Sequence, residues 1–371
     1  MSGHPSTPAL APLGAGARVD LSIIIVNWNT QALLAACLQT IAPAARRVTT
    51  ETIVVDNGSS DGSVAMVQSA FPAVQVIESG ANLGFARANN MGIRAANGRY
   101  LFLLNSDTLL SPGALDDLVA FADAAPQVGI VGPRLLYADG RDQPSWAAFP
   151  TVGSELFGVN LRMRRLIDGV AGWRAFETEW LMGAALLCRR AALEATGLFD
   201  ESFFMYSEET DLCKRMAEAD WKVCVLDDVT IVHLGGGSAS IENLRQLQLL
   251  YENKIRYFAK HHGAAQACLM RYALASAIAA GIVLREVRYR LGRECGEAAR
   301  KSISVRRTLF RDLATGRVAE SINVAQVAPL ASAAASAAAD VHGGAPSPAR
   351  EPESAEVRPP IGHAAGNGGR A

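Results

Sequence analysis

Four short apolar, β-branched runs, at residues 21–26, 52–55, 74–77 and 100–104, alternate with four helix-like stretches at residues 30–41, 61–70, 85–96 and 112–125, and few folds accommodate that order. Runs this short and this uniformly apolar suit strands buried on both faces. Gly98 lies just past the third helical stretch and Pro126 just past the fourth, where helices commonly stop. The alternation predicts an α/β fold with a mainly parallel central sheet and helices on both faces. Ligands bind such sheets beyond the carboxyl ends of the strands. Polar clusters stand at those ends, at residues 27–29, 56–61 and 105–107.

The rhythm is lost over residues 137–178, which carry Trp146, Trp173 and several arginines and read as an excursion over the mouth of a site. Beyond it, residues 184–188 read as a strand, 208–219 as a helix and 222–226 as a strand. Residues 243–293 are helical in pattern around an Ala-rich apolar piece at 277–284. The organisation expected is a flexible leader at 1–19, a catalytic domain at 20–240, a helical extension at 241–325 and a disordered Ala/Pro/Gly-rich tail at 326–371. With 35 basic and 36 acidic residues the formal charge is −1, so no global field draws the chain to nucleic acid. The six cysteines form no closely spaced pairs, which argues against a zinc site or a disulfide framework and fits a cytoplasmic setting.

Five clusters carry residue types that chemistry needs. Asp56, Asn57, Gly58, Ser59, Ser60 and Asp61 lead from a strand end through a small-residue turn into a helix. A carboxylate there can accept the imide N–H of uracil or thymine; the plain alternative makes Asp56 a turn-former and Asp61 a helix cap. Asn82, Leu83, Gly84 and Phe85, followed by Arg87, place a glycine at a helix entry, where close backbone approach and the helix N-terminus favour a diphosphate. Asn105, Ser106 and Asp107 put one carboxylate at a strand end, a hard oxygen ligand for a divalent ion whose other ligands come from the diphosphate. Glu208, Glu209 and Asp211 open a helix behind the aromatic run of Phe203, Phe204 and Tyr206. Three acids exceed what a helix dipole needs, and a partly desolvated carboxylate among acids has the raised pKa that suits a general base. His233 precedes Leu234, Gly235, Gly236, Gly237 and Ser238; its imidazole can complete a metal shell, or it is a structural histidine.

Taken in order, these clusters resemble the family-2 glycosyltransferases with a GT-A nucleotide-diphospho-sugar transferase fold, in particular a bacterial rhamnosyltransferase-like branch, over about residues 20–240. The resemblance rests on Ile24-Ile25-Val26-Asn27-Trp28-Asn29, Val55-Asp56-Asn57-Gly58-Ser59, Asn82-Leu83-Gly84-Phe85, Asn105-Ser106-Asp107, Met182-Gly183-Ala184, Glu208-Glu209-Thr210-Asp211-Leu212 and His233 with its glycines. It implies that Asp56 contacts a pyrimidine, that Asp107 binds Mg²⁺ or Mn²⁺, and that His233 helps hold the metal or the diphosphate. It also sets Asn27, Asn29, Asn82, Gly84, Arg87, Asn105, Ser106 and Gly183 around a nucleotide sugar. Asn105 stands where many relatives carry an acid. The family's usual Glu-Asp pair is Glu208-Glu209 here, so Glu209 takes the place of the catalytic base, with Glu208 as the alternative.

The expected activity is inverting transfer of a sugar, rhamnose from dTDP-rhamnose first among the candidates, to a hydroxyl of a cell-surface or lipid-linked glycan. A different UDP- or dTDP-sugar, or a non-catalytic nucleotide-sugar-binding protein of the same fold, stays open. A dinucleotide oxidoreductase is disfavoured, because Asn27, Trp28 and Asn29 stand where its glycine fingerprint belongs. Lys254, Arg256, Lys260, Arg271, Arg285, Arg288 and Arg290 surround the apolar piece of the extension. Such a helix could lie peripherally on the inner face of a membrane, or pack on the catalytic domain or at a dimer interface. Its apolar stretch reads as too short to span.

Overall fold

The computed structural model describes residues 19–157, 165, 166, 170, 172–235, 244–291 and 297–316. The leader through residue 18, the glycines at 236 and 237 and the tail therefore lie outside the described residues. The first half of the chain runs β1 Leu21–Asn27, α1 Gln31–Ala44, β2 Thr50–Asp56, α2 Ser63–Ala70, β3 Gln75–Glu78, α3 Phe85–Ala95, β4 Tyr100–Asn105, β5 Thr108–Leu110 and α4 Ala114–Ala124. There follow β6 Val128–Leu136, β7 Trp146–Ala147, α5 Val152–Phe157, β8 Arg165–Leu166, β9 Ala175–Thr178, β10 Trp180–Leu181, β11 Ala185–Arg189 and α6 Arg190–Thr196. The last elements are α7 Glu208–Glu218, β12 Lys222–His233, α8 Leu244–Arg290 and α9 Glu297–Thr315.

The main sheet has ten strands in the order β3-β2-β1-β4-β11-β6-β12-β9-β8, with β5 added against β12. β1 pairs in parallel with β2 and β4, and β2 with β3; β11 then enters antiparallel to β4 and β6. Side chains of β1 alternate between two cores. Leu21, Ile23 and Ile25 pack with Leu34 and Cys37 of α1 and Phe121 of α4, whereas Ile24 joins Ala88 and Ile93 of α3 on the other face. Burial on both faces is why β1 reads as an unbroken apolar run.

The sequence expectation misses several strands. β6 contains Gly129, Gly132 and Pro133, residues that disfavour a central strand. The structure accommodates them: a Cβ at 129 would lie 2.8 Å from the Cβ of Trp221, and Pro133 stands at the register shift between Leu226 and Thr230 of β12. That bulge also joins residues 222–226 and 229–232 into one strand. Residues 175–178, expected within an irregular excursion, form β9 against β12. The single helical pattern expected over 243–293 is broken at Gly263, where φ is 84° and ψ 169°.

α8 and α9 pack on each other and on the loop before α7, burying Phe203, Tyr257, Phe258, Met270, Leu274, Leu309 and Leu313 together. An 18-residue window of α8 has mean hydropathy 1.8, so by length and composition alone this helix passes as a membrane span, contrary to the sequence expectation. An ionic node fastens α8 to α7. Asp211, fully buried, meets Arg215 Nε at 2.9 Å, Lys260 Nζ at 2.7 Å and His261 Nε2 at 2.8 Å. Burial alone would raise the Asp211 pKa, but the hydrogen bond from His261 and the charges of Arg215 and Lys260 outweigh it and hold the group down to about 2. With an ordinary value of 3.8, this stabilisation is present above that pH and is lost as pH falls towards 2. Replacing Asp211 with Ala removes the carboxylate that Arg215, Lys260 and His261 share, leaving Lys260 with Asp200 and Arg215 with three backbone carbonyls, and should cost about 1–3 kcal/mol. Urea unfolding at neutral pH measures it; an unchanged midpoint would show that the node does not hold α8.

Candidate active site

The parallel register puts three polar ends side by side: Asn27 opposite Asp56, and Val26 opposite Asn105. Asn27 Nδ2 donates to Asp56 Oδ1 at 3.3 Å and to Ser59 Oγ at 3.2 Å, while the Ser59 N–H donates to Asp56 Oδ2 at 2.9 Å. Thr30 Oγ donates to Asn27 Oδ1 at 2.6 Å and lies 2.9 Å from Ser106 Oγ, linking the β1 and β4 ends. Asn29, at φ 52°, accepts the Ser60 N–H at 2.7 Å. Asp61 accepts from the backbone of Ser63 at 3.0 Å and of Gln31 at 2.8 Å, so it caps two helix starts.

Asp107 follows the β4 end and meets His233, which ends β12; Oδ1 and Nε2 are 3.3 Å apart. Asn105 Nδ2 lies 3.4 Å from the same Nε2. On its far side His233 Nδ1 is 2.9 Å from Oε1 of the buried Gln143. With Gln143 accepting the Nδ1 proton, the His233 Nε2 lone pair is turned towards the Asp107 carboxylate and the Asn105 amide. This oxygen-and-imidazole pair fits a divalent ion, with the second nitrogen tied back as metal-binding histidines require. Among the described residues no third His, Cys, Asp or Glu joins the pair. A Cβ at Gly235 would come within 2.8 Å of the His233 ring, so the first glycine of the run is needed beside the imidazole.

Asn82 and Gly84 belong to a pinned loop. Asn57 Nδ2 donates to Asn82 Oδ1 at 3.0 Å and Asn57 Oδ1 accepts the Leu83 N–H at 2.8 Å. Gly84 is approached by protein: at φ 84°, its Cβ would sit 2.4 Å from Phe204 O, which also takes the Phe85 N–H at 2.7 Å. The first free N–H of α3 is thus already used. Arg87 is not brought into the cluster; it pairs with Glu201 at 3.1 Å on an exposed helix face.

Glu208 and Glu209 open α7 after Tyr206 and Ser207, two non-glycine residues at φ 73° and 70°. Asp211 is consumed by the α8 node, which leaves these two acids. Glu208 is buried, and burial together with Glu209 drives its pKa well up; burial likewise raises that of Glu209. Each keeps an Oε2 with no hydrogen-bond partner. They differ in access: Glu209 lines a cavity of about 420 Å³ that Glu208 does not reach. A Cβ at Gly183 would lie 3.7 Å from the Glu209 Cβ, and the next residue, Ala184, accepts the Asn105 N–H at 2.9 Å. Through this link the acid stands on the same side of the sheet as the β4 end.

Residues 22–195 match the family described as Glycosyl transferase family 2. Over these residues, just under half of the chain, the protein is similar to the family-2 glycosyltransferases, and they build a mixed, mostly parallel sheet. The chain is 26% identical over 278 residues, 70% of its length and 90% of the relative's, to the N-acetylglucosaminyl-diphospho-decaprenol L-rhamnosyltransferase of Mycobacterium tuberculosis. It is 28% identical over 220 residues, 58% of its length and 67% of the relative's, to the low-salt glycan biosynthesis hexosyltransferase Agl10 of Haloferax volcanii. Among solved structures, the mannosyltransferase PcManGT from Pyrobaculum calidifontis, in complex with GDP-Man and Mn²⁺, aligns with TM-score 0.48 and 19% identity, covering 85% of this chain and 92% of that one. Glu209, His233 and α8 all lie beyond the glycosyltransferase family match. Sequence reasoning missed Gln143 and Thr30 as members of the site, and no local signal marks either; only pairing across the sheet reveals them.

Proposed function

We propose that this glycosyltransferase is metal-dependent and inverting, and moves a sugar from a pyrimidine nucleoside diphosphate to a hydroxyl of a cell-surface or lipid-linked glycan. The observation that carries the reading is Glu209: a desolvated carboxylate that lines a cavity at the start of α7 and stands beside Gly183, whose neighbour Ala184 accepts the Asn105 N–H of the β4 end. In the proposed reaction Glu209 takes the acceptor hydroxyl proton as that oxygen bonds to the anomeric carbon. The bond to the diphosphate breaks with its electron pair on the leaving oxygen, so configuration inverts. Asp56 keeps lone pairs beyond those used by Asn27 and Ser59 and accepts the base imide N–H. Asn27, Asn29, Asn105, Ser106 and Gly183 shape the donor floor. Asp107 and His233 hold Mg²⁺ or Mn²⁺, which when bound supplies charge opposite the diphosphate. Rhamnose, from a deoxythymidine diphosphate donor, is the sugar proposed, supported by the name of the Mycobacterium tuberculosis relative, whose acceptor is lipid-linked by that same name.

The membrane contact proposed lies at the far end of α8. Leu269, Val283, Leu284, Val287 and Leu291 are exposed there, with Arg288 and Arg290 in its last turn. Met270, Leu274 and Ile278 are covered together with Leu309 and Leu313 of α9, so α8 is not a lone apolar rod. The proposed location is the cytoplasmic face of an anionic bilayer, with the exposed side lying in the interface.

Glu209→Gln should lower acceptor-dependent nucleotide release by about 10²–10⁴-fold while donor binding persists; near-normal turnover would remove Glu209 as base. Because that carboxylate must be ionised to accept a proton and its pKa is raised to about 7, kcat/KM should climb with pH through the neutral region. A flat profile from pH 5 to 8 would contradict it. Calorimetry of a pyrimidine nucleoside diphosphate with and without Mn²⁺ should show metal-dependent affinity that Asp107→Ala abolishes; an identical metal response in the variant counts against Asp107 as a ligand. Leu284→Glu should weaken co-sedimentation with vesicles containing anionic lipid, and equal binding by both proteins would rule out that face.

A further inference from the structure

One buried polar side chain of α8 reaches the loop before α7. Asn253 is 2% exposed, and its Nδ2 donates to the Met205 carbonyl at 2.7 Å. A carbonyl oxygen only accepts, so the amide must present its nitrogen there. Met205 precedes Tyr206 and Ser207, whose φ values of 73° and 70° are left-handed, and Glu208 and Glu209 follow at once as the first two residues of α7. Non-glycine residues keep that conformation only where their surroundings impose it.

Three successive stretches of this turn are held by their carbonyls. Phe204 O accepts the Phe85 N–H at 2.7 Å, and Ser207 O accepts the Asp211 N–H at 2.9 Å as α7 begins. Between them lies the peptide joining Met205 to Tyr206. Rotating Tyr206 φ towards a relaxed negative value swings this peptide, and with it the oxygen that Asn253 holds. Breaking that bond strands a buried amide, so the bond opposes relaxation of the turn. α8 is itself tied to the same region without Asn253. Lys260 meets Asp200 and Asp211, each at 2.7 Å, and Phe203 shares an apolar cluster with Tyr257 and Phe258. Among the described residues, the lining of the cavity at the start of α7 does not include Asn253.

We propose that Asn253 is a positioning residue for Glu209: by holding the Met205 carbonyl from α8, it keeps the Tyr206-Ser207 turn left-handed and so sets where α7 presents the carboxylate. The inference rests on Glu209 acting as the base. Because the ionic node and the apolar cluster remain, Asn253→Ala should leave α8 docked and displace only the turn.

The test measures nucleotide release by the full chain with Mn²⁺, using dTDP-rhamnose, UDP-glucose and UDP-N-acetylglucosamine as donors and water as acceptor. Asn253→Ala should lower kcat about 10- to 100-fold with the donor KM unchanged, because the base shifts while the strand ends that bind the nucleotide do not. Asn253→Asp, equal in size but with an oxygen towards the Met205 carbonyl, should lose at least as much. In a Glu209→Gln background Asn253→Ala should cost nothing further, since a positioning residue has no effect once the group it positions is gone. Unchanged kcat in Asn253→Ala, near-normal turnover by Asn253→Asp, a loss confined to donor KM, or a full additional loss in the Glu209→Gln background would overturn the proposal. The two readings separate in the single variants: wild-type release by Glu209→Gln undoes the base and with it the positioning role, whereas slow Glu209→Gln beside unaltered Asn253→Ala undoes only the positioning role. Absence of release from the wild type with every donor undoes both.

Discussion

The parallel pairing of β1 with both β2 and β4 is the constraint on which the rest depends. Parallel strands end on the same edge of a sheet, so the register that sets Asn27 opposite Asp56 also brings the β4 end alongside. Buried at that edge, the polar groups must satisfy one another, and Ser59, Asp56, Asn27, Thr30 and Ser106 do so in one chain of short contacts. Shifting one strand by a single residue would turn its apolar side chains out of their core and its polar end away from this chain.

The proposed base reaches this edge by a different route. α7 starts from a turn with two left-handed non-glycine residues, a conformation that persists only when its surroundings hold it. Phe85 donates to Phe204 O on one side and Asn253 of α8 donates to Met205 O at 2.7 Å on the other. Four residues after Asp211, Arg215 shares that carboxylate with Lys260 and His261 of α8. One helix thus presents Glu209 at its first turn and anchors the C-terminal helices from its fourth position, Asp211, which Arg215 at the eighth braces. The C-terminal helices are therefore part of what positions the acid.

Much of this was legible in residue pattern because it is local or periodic. The four apolar runs at 21–26, 52–55, 74–77 and 100–104 became β1 to β4, since strands buried on both faces leave an unbroken signal. β6 was illegible for the opposite reason: Gly129, Gly132 and Pro133 make sense only beside Trp221, Leu181 and the bulge of β12, all distant in sequence. Gly84 was legible as a position needing glycine, but the group approaching it is Phe204, 120 positions away in the numbering of the chain. The long helical pattern concealed the break at Gly263, because one glycine interrupts an amphipathic pattern too briefly to register.

By itself the sequence determined the order of strands and helices, the polar residues at their ends, and the identity of the acids available for chemistry, because each is encoded in neighbouring side chains. Tertiary structure alone decided what each acid does. Asp211 was drawn into an ion-pair node by Lys260 and His261, Glu208 was enclosed, and Glu209 was left facing a cavity. The same folding set Gln143 behind His233 and brought residues of α7 and α8 to the lining of one cavity. Solvation and charge at a carboxylate depend on groups packed around it in space, and those groups come from segments that no local pattern connects.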